Sequence, residues 1–265
     1  MHEHSWAKIA NMLYIDQPVG TGLSYTTGRV YPRNDAEVNY ALMDFFDGFF
    51  QVHSELRGRT LFLSGESHAG HFLPSIANVI VKRNEKLASQ GGAAKEKILK
   101  LAGIAIGNGW FDPHNQYDVS DFAHGSGLIS AGQVVTLKKK EHECHRALSS
   151  GRYMYAGCWD LLDDVVKASG AQKKPKVLMY DIRQYVKSSS VFPPNHGRVE
   201  KFLNNKVVRA ALHASSCPIV FKECTDPPYN ALKHQDGLGV TRDVVYLLER
   251  KVQMLFFNGE VIDSI

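Results

Sequence analysis

Four short apolar runs, from Ile9 to Ile15, Arg59 to Ser64, Leu101 to Ile106 and Val252 to Phe257, each lead into a turn that carries glycine. Runs of this length read as buried strands. Between the first three runs, apolar residues recur every three or four positions, the spacing of a helix with one buried face. Val38, Ala41, Leu42, Phe45, Phe46, Phe49 and Phe50 form such a stripe between Asp35, a candidate cap, and His53. A second helix is expected from Phe72 to Glu85, with Pro74 tolerated in its first turn. Strands alternating with helices join as parallel βαβ units, so the expected class is α/β with a mostly parallel sheet.

The stretch from about Trp110 to Glu249 breaks this rhythm with several short helical patterns and two proline pairs, Pro193-Pro194 and Pro227-Pro228. It reads as a largely helical cap inserted into the sheet domain. The expected division is residues 1–109 as the first part of the core, 110–249 as the cap and 250–265 as the start of the second part. A chain of 265 residues accommodates this as one large unit or two smaller ones. The run Lys138-Lys139-Lys140, beside Glu141 and Glu143, reads as a solvated helix face.

Subtracting 27 acidic from 31 basic residues leaves +4, too weak and too dispersed for a nucleic-acid or acidic-membrane partner. No stretch reaches the roughly 18 apolar residues of a membrane span. Met1 to Trp6 shows no leader pattern, and no Asn-x-Ser/Thr acceptor occurs, so nothing in the text itself points to export. Cys144, Cys158, Cys217 and Cys224 lack zinc-site spacing, so neither a metal nor another cofactor is expected. Disulfides are the favoured reading. Three pairings are open, of which Cys144 with Cys158 and Cys217 with Cys224 close the shortest loops.

The chemistry is concentrated at Gly65-Glu66-Ser67-His68-Ala69-Gly70, placed between a strand and a helix. A sharp turn there would lift the Ser67 hydroxyl above the end of the sheet, as a nucleophile elbow requires. Ala69 stands where the general G-x-S-x-G pattern has glycine, but it is still small enough for helix and strand to approach. A plain strand-to-helix loop that happens to contain serine is the competing reading.

Several ordered blocks resemble the serine carboxypeptidase family. Leu61 to Pro74 resembles the segment usually written G-E-S-Y-A-G-x-Y-x-P; Ala10 to Gly22 resembles A-N-x-L-x-x-D-x-P-x-G-x-G. Gly103 to Trp110 with Asp112-Pro113 resembles G-x-x-I-G-N-G-x-x-D-P, and Met179 to Arg183, Val207 to His213 and Phe256 to Gly259 resemble later landmarks, best those of Golgi-type processing members. The resemblance implies a partial α/β-hydrolase fold and removal of C-terminal residues from peptides or proteins. It implies that Ser67 attacks the scissile carbonyl, that the His68 main-chain N–H is an oxyanion donor, and that Glu66 helps bind the substrate's terminal carboxylate by sharing a proton with a second carboxyl group. It also implies Asp263 as triad acid, although it is the fourth residue after Gly259 where the family usually has the acid third. Relatives are vacuolar, Golgi or secreted.

The same resemblance shows departures. In this fold the base follows the acid, yet every histidine of the sequence precedes Asp263. His213 and His234 read as structural or cap-surface residues. The family's W-x-N-G-G-P-G segment would lie upstream of His4, Lys176 replaces a cysteine, and His68 and Phe72 replace tyrosines. The expectation is therefore a chain incomplete at both ends and inactive by itself. The alternatives are a non-catalytic binding protein and a carboxypeptidase-like acyltransferase.

Overall fold

The computed structural model describes residues 3–28, 30–169, 176–186 and 197–259. In chain order its helices are α1 (Asp35–Val52), α2 (Ser54–Arg57), α3 (Ala69–Gln90), α4 (Pro113–Gln116), α5 (Ser120–Gly125), α6 (Ala131–Ser149), α7 (Ala156–Ala168), α8 (Gly197–Leu203), α9 (Lys206–Ala211), α10 (Asp226–Leu232) and α11 (Thr241–Glu249). The strands are β1 (Leu61–Glu66), β2 (Leu101–Gly107), β3 (Lys176–Leu178), β4 (Asp181–Val186) and β5 (Gln253–Phe257). Short 3-10 turns occur at Trp6–Lys8, Gly92–Lys97 and Lys233–Gln235.

β1, β2 and β5 form a parallel sheet in that order, with Ser64 opposite Ala105 and Ala105 opposite Leu255. This is the parallel sheet expected from the alternating pattern. β2 is central, and its Ile104 and Ile106 are buried against Leu63, Ile76, Ala77 and Ile80. α3 packs on β1 and β2 and α1 packs on α3, each through a suitable stripe. Val38, Leu42, Met43, Phe46 and Phe50 of α1 are buried. Asn34, not Asp35, caps α1: its side chain accepts the Glu37 N–H at 2.9 Å, while Glu37 accepts the Arg33 N–H in return. Asp35 is turned inward instead, to His71. α11 also packs on α3, and its Leu247 belongs to this same core.

The run from Ile9 to Ile15 does not form the strand expected of it. Among the described residues it has no neighbouring strand to satisfy its backbone, and it lies on the surface, with Ile9 88% and Tyr14 81% exposed. Ile15 alone of its apolar residues packs against the core. The chain then turns sharply, where the Leu23 N–H donates to Asp16 at 2.8 Å. α3 starts three residues earlier than expected, so Pro74 lies inside the helix and not in its first turn.

A second apolar cluster gathers Trp110, Tyr117, Val119, Ile129, Leu137, Leu148, Leu161 and Val165 from α4–α7 and their connections. Cys144 and Cys158 form a disulfide inside it, across 14 residues of sequence. Cys217 and Cys224 are free thiols, so the second shortest loop stays open; Cys217 Sγ instead lies 3.5 Å from the Leu23 carbonyl. The lysine run is not simply a solvated face. Lys138 bridges Asp121 and the buried Glu141, whose carboxylate also accepts the Ser120 N–H at 2.8 Å, and Lys140 pairs with Asp164. An antiparallel hairpin, β3–β4, adds a non-helical piece to this largely helical region.

Candidate active site

β1 runs without a break into the turn that holds Ser67, and α3 begins two residues beyond. The turn is tight enough to force Ser67 to φ 58°, in the left-handed region. A non-glycine residue there carries about 1–3 kcal/mol of strain and persists only where its surroundings over-determine it. Those surroundings are the Ser67 N–H donating to the Gly107 carbonyl at 3.0 Å, and the Ser67 carbonyl accepting the Gly70 and Trp110 N–H groups, each at 2.9 Å. Both neighbouring glycines are required by close approach. A Cβ on Gly65 would come within 2.5 Å of the Ala69 Cβ, and one on Gly70 within 2.5 Å of the Trp110 backbone nitrogen. Ala69 is therefore about as large as that position allows.

Glu66 ends β1, and both it and Ser67 are exposed. Its charge reaches Tyr180 at the β3–β4 turn: burial raises the Tyr180 phenol pKa first, with the charges of Cys224 and Glu66 adding to the rise. His68 is the N-terminal cap residue of α3, and among the described residues its main-chain N–H donates to no backbone carbonyl. That leaves a donor one residue after the serine, as stabilising an oxyanion requires. Among the described residues no imidazole is hydrogen-bonded to the Ser67 hydroxyl. His213 and His234 are exposed. Asp263, the expected acid, lies outside the described residues.

Two aspartates pair with histidines near the elbow, a role that no motif marked for either. The His68 ring nitrogen Nε2 lies 2.8 Å from Asp236 Oδ1, and His71 Nε2 lies 2.9 Å from Asp35 Oδ2. His71 is 1% exposed, so its pairing with Asp35 fixes α1 against the start of α3. Asp236 comes from the segment between α10 and α11, and its own carbonyl accepts the Trp110 indole N–H at 2.9 Å. No local sequence signal could have joined Asp236 to His68, which are 168 positions apart. Cavities of about 290 and 320 Å³ open on the surface, the first beside Phe111, Asp112 and Asn258, the second beside Tyr25, Tyr31 and Ile219; Ser67 lines neither. Among the described residues no group of His, Cys, Asp and Glu is arranged to hold a metal.

A family profile described as serine carboxypeptidase matches residues 1–265. The chain belongs to the serine carboxypeptidase family. Within that family it is 34% identical over 271 residues to pheromone-processing carboxypeptidase KEX1 of Phytophthora infestans, covering 98% of this chain and 44% of that protein. It is 33% identical over 270 residues to serine carboxypeptidase-like 49 of Arabidopsis thaliana, covering 98% of this chain and 49% of that protein. The crystal structure of KEX1(delta)p, a prohormone-processing carboxypeptidase from Saccharomyces cerevisiae, superposes with a TM-score of 0.81 at 26% identity, over 94% of this chain and 56% of that one. These matches support the Golgi-type processing branch and the partial α/β-hydrolase fold. This serine carboxypeptidase chain spans less than half the length of those two relatives.

Proposed function

We propose that the protein carrying these residues is a serine-type carboxypeptidase that acts through an acyl-enzyme on Ser67. The observation that carries the reading is the forced left-handed turn at Ser67, which holds an exposed hydroxyl beside the unengaged His68 N–H. In the reaction the Ser67 oxygen bonds to the scissile carbonyl carbon, the hydroxyl proton passes to a histidine base, and the carbonyl oxygen takes up the negative charge facing the His68 N–H. The leaving amine receives the proton, and water then releases the acyl group. Glu66 is proposed to help bind the substrate's terminal carboxylate by sharing a proton with a second carboxyl group, which favours acidic pH because facing carboxylates repel unless protons are retained. Asp263 is proposed as the acid that orients the base.

The test is expression of the protein from the longest transcript that encodes these residues, with N-terminally blocked peptides as substrates. Release of the C-terminal amino acid is expected, together with labelling of Ser67 by a fluorophosphonate, and Ser67→Ala abolishes both. A folded protein that neither releases an amino acid nor takes the label overturns the proposal and leaves a binding protein. Transfer of the acyl group to an added alcohol in place of water would make it an acyltransferase. For the 265-residue chain expressed alone, no label on Ser67 is expected, since no imidazole meets its hydroxyl among the described residues.

A further inference from the structure

We propose that Asp236 is a positioning residue for the Ser67 elbow, acting through the imidazole of His68. The inference rests on the reading of Ser67 as nucleophile. The Asp236 side chain is 5% exposed, and a carboxylate so far from water is tolerated only when it is paired. Its side-chain partner among the described residues is His68, at 2.8 Å. Around it a closed circuit of hydrogen bonds ties three chain segments together. The Trp110 N–H donates to the Ser67 carbonyl, the Trp110 indole N–H donates to the Asp236 carbonyl, and the Asp236 carboxylate receives His68, the residue after Ser67. A strained turn needs such bracing, and this brace reaches the elbow from the segment preceding α11.

The chemistry of the ring is also defined. The nitrogen facing Asp236 is Nε2, so the proton is assigned there. Among the described residues Nδ1 is buried without a partner, so the ring is held to Asp236 through Nε2 alone. The imidazole also rests on the Phe72 ring, with centroids 4.7 Å apart, so a phenyl ring can take its place without opening a void. Held in this way, His68 keeps its main-chain N–H fixed beside the serine hydroxyl. Loss of the brace moves that donor away from the developing oxyanion without removing any group that binds peptide.

The experiment uses the protein from the longest transcript and measures kcat and KM on a blocked peptide. Asp236→Ala is expected to lower kcat about ten- to a hundredfold, the scale of a misplacement near 1 Å, with KM unchanged within about twofold. Asp236→Asn keeps an acceptor oxygen and retains most of the rate. His68→Phe loses the same factor as Asp236→Ala, and the double variant loses no more. Factors that multiply in the double variant, or an unchanged kcat in either single variant, overturn the proposal. If Asp236→Ala does not fold, His68→Phe decides alone. If the wild-type protein releases no amino acid, the reading of Ser67 fails and the brace is judged by imidazole ¹⁵N NMR: an Nε2-protonated His68 that loses this preference in Asp236→Ala is expected, and identical rings in both proteins overturn it.

Discussion

The two apolar clusters solve the same problem differently. Around the sheet, Ile76, Ile80, Ile104, Ile106 and Leu247 are drawn together from helices and strands far apart in sequence, with no covalent link among them. In the α4–α7 region the cluster is assembled almost wholly from residues 110–168, and the Cys144–Cys158 disulfide crosses its centre. The first depends on the whole chain being in place; the second can close on itself. Both regions enclose side chains fully, Ile80 and Ile106 in the first and Cys144 and Leu161 in the second, and both leave large apolar groups open to solvent, Phe62 and Leu255 in the first and Val135 and Met154 in the second.

The contrast breaks first under truncation of the central strand. Ile106 is fully buried, and Ile106→Ala is expected to cost about 2–5 kcal/mol in denaturant unfolding, with amide-exchange protection lost across β1, β2 and β5 while α6 and α7 keep theirs. Removing the disulfide in a Cys144→Ala, Cys158→Ala variant is expected to cost about 3 kcal/mol, because a loop of this size is freed in the unfolded chain. Its exchange signature should be the reverse, in α6 and α7. Equal losses of protection in both regions, for either variant, would mean that the clusters unfold as one.

Smaller changes probe the seam. Gly70→Ala places a methyl group against the Trp110 backbone and is expected to cost about 1–3 kcal/mol by overpacking, read as a lower Tm. Tyr117→Phe is expected to be within about 0.5 kcal/mol of neutral at pH 7, since among the described residues the buried Tyr117 hydroxyl has no hydrogen-bond partner. Burial, and then the nearby Asp236 charge, raise the Tyr117 phenol pKa well above its ordinary value. Its ionisation in the unfolded chain, near pH 10, is therefore not matched in the folded one. Stability is complete below that pH and falls as pH rises beyond it, and the phenylalanine variant should lose that part of the alkaline sensitivity.

How much of this could be read from sequence depends on the range of each interaction. α1 was legible because its stripe and capping residues lie within a few positions of one another, and β2 because apolar and small residues run unbroken from Leu101 to Ile106, with Ile104 and Ile106 buried. The elbow was legible for a similar reason: small residues at 65, 69 and 70 leave their mark beside Ser67. The run from Ile9 to Ile15 has the composition of a strand, but composition does not supply a neighbour to pair with, and among the described residues it finds none. Asp35 sits where a cap is expected yet answers to His71, and Asp236 reaches His68 across most of the chain. Polar contacts of that span have no period and no motif.

The backward twist at Ser67 has a consequence for how such a site fails. Glycine would relax there, but it would carry no hydroxyl; serine keeps the hydroxyl only while Gly65, Ala69 and Gly70 stay pressed together. Loosening that grip lets the corner unwind towards an ordinary loop while the rest of the molecule is still folded. Reactivity at this position is thus expected to be more fragile than the fold, and to vanish at temperatures where bulk probes still report an intact protein.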